Sequence, residues 1–582
     1  MPMHLQLPNT WRRSTAIAPL TIFLVIAFVI PVATILVLAV WSPAEGLQLT
    51  ALQRITSTPV YRSLLLRTLE ISAWTTLLCL LLGFPIALLI QHARGQRRLL
   101  LYLLVLLPFW TSYLVKSFAW MVLLGRNGPL KQLLSALGWD LGDTTLLFNH
   151  TAVLVGMVHA LLPFAVLIIL PVLDAIDRCL MPAATSLGAG PFEAFVRVLL
   201  PLARPGLGTA ALIIFITSAG FFIVPALLGG PRQTMIANVL IEMVLELMNW
   251  PLAAAASLLM FVVSAALFVL YVRAFGMESL IGRSRMESSG HRSTLNDGRG
   301  ARLRRGLWKA WDRVSAKAGP LRRLPGALQD VLVYATIAFL ALPTLFLVPI
   351  SFTTSGIIDW PPEFFSLKWY EALNTPTWRA AAGRSFSVAL ATGALSLALA
   401  YPASTWFVRH AGRTRMAVLI LMMSPMVVPR IIVAIGLFYL FAKLSLVGTW
   451  VGLVVGHTII ALPFVVMTMI AVVQAYDERL DQAAAICGAG TGMRLWRVTW
   501  PLLAPGAVSA FLFAFVTSLD ELTIAMFVTG GLSSTLPKQM WDEALLRVSP
   551  TLAAASALIF LLMSTLVLAA VAMRNRRTPS PV

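Results

Sequence analysis

Asp520 and Glu521 are adjacent carboxylates inside a long apolar run, with Ser518 two residues before them. Two acids in such a setting can bind a cation or close an ion pair, and the aromatic faces of Trp110, Tyr113, Phe221 and Phe222 would suit ammonium groups. Bond-breaking chemistry finds no comparable set of residues. The 7 histidines are scattered without an HExxH spacing, and His159 and His457 read as helix-packing residues. The 3 cysteines, Cys79, Cys179 and Cys487, form no CxxC pair, so no zinc site or disulfide framework is indicated. No lysine follows a glycine, which excludes a Walker A loop in this chain. A membrane enzyme would need a convergent nucleophile, base and metal set, and none is evident.

The elements that must position the acid pair are set by composition. Of 582 residues, 59% are hydrophobic and 12% charged, against about 45–50% and about 25% in soluble chains. Apolar runs long enough to cross about 30 Å of hydrocarbon lie near 15–40, 65–91, 99–123, 151–173, 206–229, 251–275, 329–351, 384–408, 416–442, 447–473, 506–529 and 551–573. The expectation is an all-α polytopic membrane protein of twelve spans. The first run follows Arg12 and Arg13, is too long for a signal peptide, lacks a small-residue cleavage site, and reads as an anchor.

The formal charge of +20 would by itself suggest a nucleic-acid partner, but its distribution argues otherwise. A cytoplasmic N-terminus places Arg94, Arg97, Arg98, the stretch 273–325, Arg409 to Arg415 and Arg574 to Arg577 inside, as the positive-inside rule requires. Residues 276–326 carry 12 Lys/Arg against 4 Asp/Glu among Gly and Ser, the composition of a solvated linker near anionic lipid heads. Both termini are then expected in the cytoplasm, with the bilayer and not nucleic acid as the partner of the basic residues.

A shift of 300 residues aligns Gly156 with Gly456, Leu162-Pro163-Phe164 with Leu462-Pro463-Phe464, and Asp177 with Asp477. Between 180–206 and 480–506, 12 of 27 positions are identical without a gap, where composition alone would give about two or three. Residues 1–275 and 327–582 are therefore expected to be two six-span repeats joined by the linker 276–326. An even number of spans makes them parallel, with a pathway between them.

The best-repeated segment is a loop between the fourth and fifth spans of each half, on the expected cytoplasmic side. Ala183 and Ala184, or Ala483 and Ala484, precede Gly188 or Gly488, where the missing Cβ permits a turn between two short helices. Pro201 and Pro205, or Pro501 and Pro505, are expected to stop the second helix before the next span. Asp520 and Glu521 lie 14 and 15 residues beyond Gly506, about 20 Å into a span at 1.5 Å per residue.

Pro182-Ala183-Ala184 with Gly188 and Leu200-Pro201, and Gln482-Ala483-Ala484 with Gly488 and Trp500-Pro501, resemble the EAA loop of type I ABC importer permeases. The family's leading Glu is replaced by Pro182 and Gln482, so an ionic contact by that Glu does not carry over; proline in a first helical turn leaves the helix possible. The resemblance implies that each loop docks as a coupling helix on a cytoplasmic ABC ATPase. Two loops imply two ATPase subunits, which bind ATP and Mg while this chain binds no cofactor and no metal. It further implies a periplasmic substrate-binding protein and a cell inner membrane location.

Leu107-Pro108-Phe109-Trp110-Thr111-Ser112 with Lys116, and Ser218-Ala219-Gly220-Phe221-Phe222 with Pro225 to Pro231, are similar to the first permease of spermidine/putrescine importers. Trp360-Pro361-Pro362, Ser366 to Tyr370, and Ser518-Leu519-Asp520-Glu521 with Leu536-Pro537 are similar to its partner permease, as in a fused heterodimer. The implied solute is a polyamine, a linear polycation that Asp520 and Glu521 would suit. The family also handles opines, 2-aminoethylphosphonate, thiamine and ferric iron. Two alternatives remain open: an acid pair satisfied structurally by Lys116 or Arg430, and an ion-coupled secondary transporter, which would not need the repeated loop.

Overall fold

The computed structural model describes residues 16–42, 46–47, 49–126, 128–139, 142, 144–276, 326–356, 360–361, 364–410, 412–530, 533–546 and 549–577. The linker expected at 276–326 falls outside them apart from its two end residues. Long runs of Leu, Val, Ile and Ala wind into helices whose backbone groups are satisfied internally, the condition for crossing hydrocarbon. Among the described residues, nine helices are long and apolar enough to cross a membrane, and up to eleven if two bent pairs are counted as spans. The last predicted span, 551–573, lies in the helix Pro550–Arg577.

Two expected spans are not continuous. The segment 99–123 is a pair of helices, Gly95–Phe109 and Tyr113–Leu123, that meet at 92°, and 416–442 is the pair Arg413–Val427 and Arg430–Lys443, which meet at 96°. Each bend follows a proline, Pro108 before the first and Pro429 in the second, where the missing N–H and the ring both weaken the ladder. Apolar run length carries no information about such a bend. The run 206–229 is likewise interrupted: a helix ends at Ala219 and a short one spans Ile223–Leu228.

Pro201 and Pro205 do not stop a helix. Phe195–Leu199 winds as a π turn and passes directly into Leu200–Ala219, and Leu495–Thr499 passes in the same way into Trp500–Leu519. The wider turn accommodates a ring that has no N–H to donate, so the helix continues instead of breaking.

Small residues set the closest helix contacts, as expected where lipid supplies no hydrophobic drive to pack. A Cβ on Gly206 would lie 2.9 Å from Val172, and one on Gly506 would meet Val472 in the same way. Gly156 meets Val224 and Leu228 as Gly456 meets Ile524. The same contacts thus recur 300 residues apart.

The first helices of the two halves pack across the molecule. Ala18–Leu38 lies on Arg430–Lys443, with the Pro31 backbone 2.9 Å from the position of a Cβ on Gly436. Gly326–Ile350 lies on Gly95–Phe109 and Tyr113–Leu123, where His159 Nε2 donates to the Leu340 carbonyl at 3.1 Å and Trp120 meets Phe339 at 5.3 Å.

Candidate functional site

Four helix interruptions converge between the halves: at Trp110–Ser112, Val428–Pro429, Gly220–Phe222 and Asp520–Leu522. Each interruption frees backbone groups and brings side chains to mid-bundle. Ser112 caps the Tyr113–Leu123 helix by accepting from the Leu114 N–H at 3.3 Å. One turn on, Lys116 is 1% exposed, with its Nζ 4.9 Å from the centre of the Tyr113 ring. In the other half Arg430 opens the helix Arg430–Lys443.

Glu521 is 2% exposed and holds two contacts: the Arg430 Nη1 donates to its Oε2 at 3.3 Å, and its Oε1 accepts from the Ile524 N–H at 3.1 Å, at the start of Thr523–Val528. The Asp520 carboxylate lies within electrostatic reach of Lys116, Glu521 and Arg430, near Ser112, and its Oδ1 is buried with no hydrogen-bond partner among the described residues. Two acids and two bases therefore share the centre. Both cations that the sequence offered as partners are present.

Three cavities lie in series along this interface. The largest, about 420 Å3, has aromatic, Met, Leu and Ile walls and ends at Phe109, Trp110, Phe164, Phe464 and Phe513. Those five aromatics also line a space of about 40 Å3 that reaches Tyr113, Arg430 and Asp520. Beyond these three side chains, a space of about 30 Å3 is lined by Gly220, Phe221, Phe222 and Glu521 as well. Tyr113, Arg430 and Asp520 face both small spaces and form the wall between them.

The predicted pathway residues thus gather in part. Tyr113, Phe221, Phe222, Asp520 and Glu521 line one space, and Trp110 lies in the adjoining one. Tyr113 and Phe221 meet edge to face at 5.0 Å. Ser518 lines none of the three; its hydroxyl pairs with His457 Nδ1 at 2.8 Å and donates to Thr392 Oγ1 at 3.4 Å, inside the second half. Sequence reasoning passed over Phe109, Phe164, Phe464 and Phe513, where Phe109 meets Phe164 at 4.9 Å and Phe464 stacks on Phe513 at 5.0 Å. Phe164 and Phe464 close the repeated Leu-Pro-Phe triplets, so their recurrence was the available signal.

The repeated loops have one geometry. Asp177 and Asp477 each accept, through Oδ1 at 2.9 Å, from the N–H two residues on, at Cys179 and Arg479. The helices Leu180–Ser186 and Arg479–Ile486 follow, so Pro182 and Gln482 both stand within helix. Gly188 and Gly488 then turn the chain at φ +91° and +83°, a region L side chains avoid. Ala183 and Ala483 are exposed, and Ala184 and Ala484 half-buried. Pro201 and Pro501 follow the π turns, half-buried and exposed respectively.

Apolar side chains project from these loops: Leu187 is 90% exposed, Ile486 77% and Trp496 72%. Both loops are tied to the spans by polar contacts: Arg178 donates to the Gln91 carbonyl at 3.1 Å in the first half, and the Arg409–Glu478 ion pair at 2.9 Å is its counterpart in the second, where the Thr499 hydroxyl also donates to Asp481 Oδ1 at 2.9 Å, a contact for which Met181 and Leu199 offer no equivalent. Burial and the Asp481 carboxylate raise the Tyr476 phenol beside this tie above its ordinary pKa.

A bundle of apolar helices, with broken members meeting between the halves and a glycine-turned helix pair in each half, is the architecture of a polytopic membrane protein. Residues 392–578 match the family model described as binding-protein-dependent transport system inner membrane component. The PotB permease of the spermidine/putrescine transport system of Haemophilus influenzae is 36% identical over 216 residues, 37% of this chain and 76% of that protein. Its Escherichia coli K12 counterpart is 33% identical over 37% of this chain and 78% of that protein. The molybdenum transport permease ModB of Mycobacterium bovis is 30% identical over 41% of this chain and 91% of that protein. The chain belongs to the family of binding-protein-dependent ABC transporter permeases, and is a multi-pass membrane transport subunit.

Proposed function

We propose that the chain is the complete translocation path of an importer for a small polycation of the polyamine class. A periplasmic binding protein delivers the solute, and two separate ATPase subunits drive its passage. The observation that carries the solute class is the acid pair Asp520 and Glu521 at the junction of the broken helices, beside the Tyr113 and Phe221 rings; the PotB relatives support the same reading. An ammonium group there would meet carboxylate oxygen and aromatic face together.

The loops 180–206 and 480–506 are proposed as the ATPase docking points, with Ala183, Ala184, Gly188 and Pro201, and Ala483, Ala484, Gly488 and Pro501, shaping the two coupling helices. ATP binding would draw the ATPases together and move the loops, and the halves would alternate between inward and outward openings. The N- and C-termini would then lie in the cytoplasm, with the linker beside anionic lipid heads. Residues 1–275 and 327–582 would act as the two fused permeases.

Uptake of radiolabelled spermidine by cells expressing the chain with its cognate ATPase and binding protein tests this reading. Uptake should disappear on ATP depletion, and should fall at least about tenfold in the Asp520→Asn, Glu521→Gln double variant. Undiminished uptake in that variant defeats the cation reading, and uptake that survives ATP depletion favours an ion-coupled carrier instead. Lys116 and Arg430 balance the two acids and favour a second reading, a zwitterionic solute of the same family such as an opine or 2-aminoethylphosphonate. Competition between 2-aminoethylphosphonate and spermidine separates the two.

A further inference from the structure

Arg430 occupies a position that a merely structural partner of Glu521 would not need. Its side chain is 28% exposed where that of Glu521 is 1% exposed, and it faces both small cavities. The tie between the two is a single contact at 3.3 Å, from Nη1 to Oε2, although a guanidinium and a carboxylate can form two parallel bonds. Glu521 Oε1 is meanwhile fixed by the Ile524 N–H. The acid is therefore rigid and dry, while the base is held at one point and borders open space.

An ionised carboxylate at this depth requires a cation at every stage of transport. The wall formed by Tyr113, Arg430 and Asp520 also has to open for anything to pass between the two spaces. Both requirements are met if one cation replaces another. We propose that Arg430 is the exchangeable counter-cation of the acid pair: an arriving ammonium group takes its place at Glu521, the guanidinium swings into the neighbouring cavity, and the wall opens only for a solute carrying positive charge. Arg430 is then a specificity-determining residue, and rejection of neutral solutes follows from the bare carboxylate they would leave behind. This rests on the polyamine reading above.

The test uses the full chain in nanodiscs for binding, and the assembled importer in proteoliposomes for uptake, with spermidine as the probe. Arg430→Gln should bind spermidine about tenfold more tightly than the wild type, because the guanidinium no longer competes for Glu521, and Arg430→Lys should stay near the wild type. Unchanged affinity in a folded Arg430→Gln protein overturns the exchange.

Should Arg430→Gln fail to fold, Arg430→Gln, Glu521→Gln decides the matter, since it leaves no buried charge unpaired. A structural ion pair can be replaced by a neutral pair with uptake intact, whereas exchange predicts that uptake falls more than about tenfold. Retained uptake in the double variant overturns the proposal. If the wild-type assembly takes up no spermidine, the substrate reading fails and this inference fails with it; wild-type uptake with either negative result above overturns this inference alone.

Discussion

Gly220 and Pro429 touch across the two halves: a Cβ added to Gly220 would lie 3.1 Å from Pro429 Cβ and 3.5 Å from the Arg430 nitrogen. The break after one span thus rests on the break before another, and the side chain that faces the acids begins at that contact. At the position matching Asp520 under the 300-residue shift, the first half has no side chain at all. Any side chain there would press on Pro429 from its Cβ onward.

Gly220→Val is expected to destabilise by about 1–3 kcal/mol, the usual cost of overpacking, and to lower uptake more than its stability loss explains. Thermal unfolding in detergent together with initial uptake rates checks this. Gly220→Ala should be milder on both counts, since one methyl asks Pro429 to move only a few tenths of an ångström.

Ser518→Ala should lower stability by about 1–3 kcal/mol and leave the affinity for solute unchanged. The lost hydroxyl is the partner of His457 Nδ1, and His457 Nε2 is already buried without a partner among the described residues. A rise in the KM for uptake with an unaltered melting temperature would place Ser518 on the path instead.

Leu187→Asp, Ile486→Asp and Trp496→Asp change exposed side chains, so each should alter stability by less than about 0.5 kcal/mol. If the loops dock on ATPase subunits, each should nevertheless reduce co-purification of the ATPase severalfold, because a charge would enter an apolar contact. Pull-down of tagged ATPase from membranes is the measurement. Equal recovery from all three variants removes these side chains from the interface.

Gly188→Val and Gly488→Val place a β-branched residue at positive φ, at a local cost of about 1–2 kcal/mol. The helix pair should lose its turn while the spans remain inserted. Uptake and solute-stimulated ATP hydrolysis should both fall, with membrane insertion unchanged by protease accessibility.

Asp481→Ala tests the tie to Thr499 that the second loop has and the first lacks. Loss of its bond with Thr499 should raise the number of ATP molecules hydrolysed per solute imported, and Asp481→Asn, which keeps an acceptor oxygen, should restore the ratio. Equal ratios in all three proteins would show that the tie plays no part in transmission.

Much of the fold is legible in the sequence. Helices long enough to cross a bilayer follow from run length alone, because hydrocarbon leaves a backbone no other partner than itself. The glycine turns after Ala183-Ala184 and Ala483-Ala484 were legible because a positive φ selects for a missing Cβ, and the recurrence at 300 residues pointed to both. The same alignment paired Asp177 with Asp477, though not the turn that each forms before its loop helix. Asp520 and Glu521 were conspicuous because acids are costly in an apolar run.

Tertiary packing decided the rest. Run length cannot distinguish a straight span from two helices meeting at 92° or 96°, since both need the same apolar residues and differ only in where a freed backbone group finds a partner. Nor could spacing show that Pro201 and Pro501 would be absorbed by π turns, or that Ser518 would face His457 and not its acidic neighbours. Sequence offered Lys116 and Arg430 as equivalent partners for the acids. Only the meeting of four broken helices set Arg430 on Glu521 and Lys116 beside Asp520, because residues 91 and 404 positions apart share a site through chain breaks that no local pattern encodes.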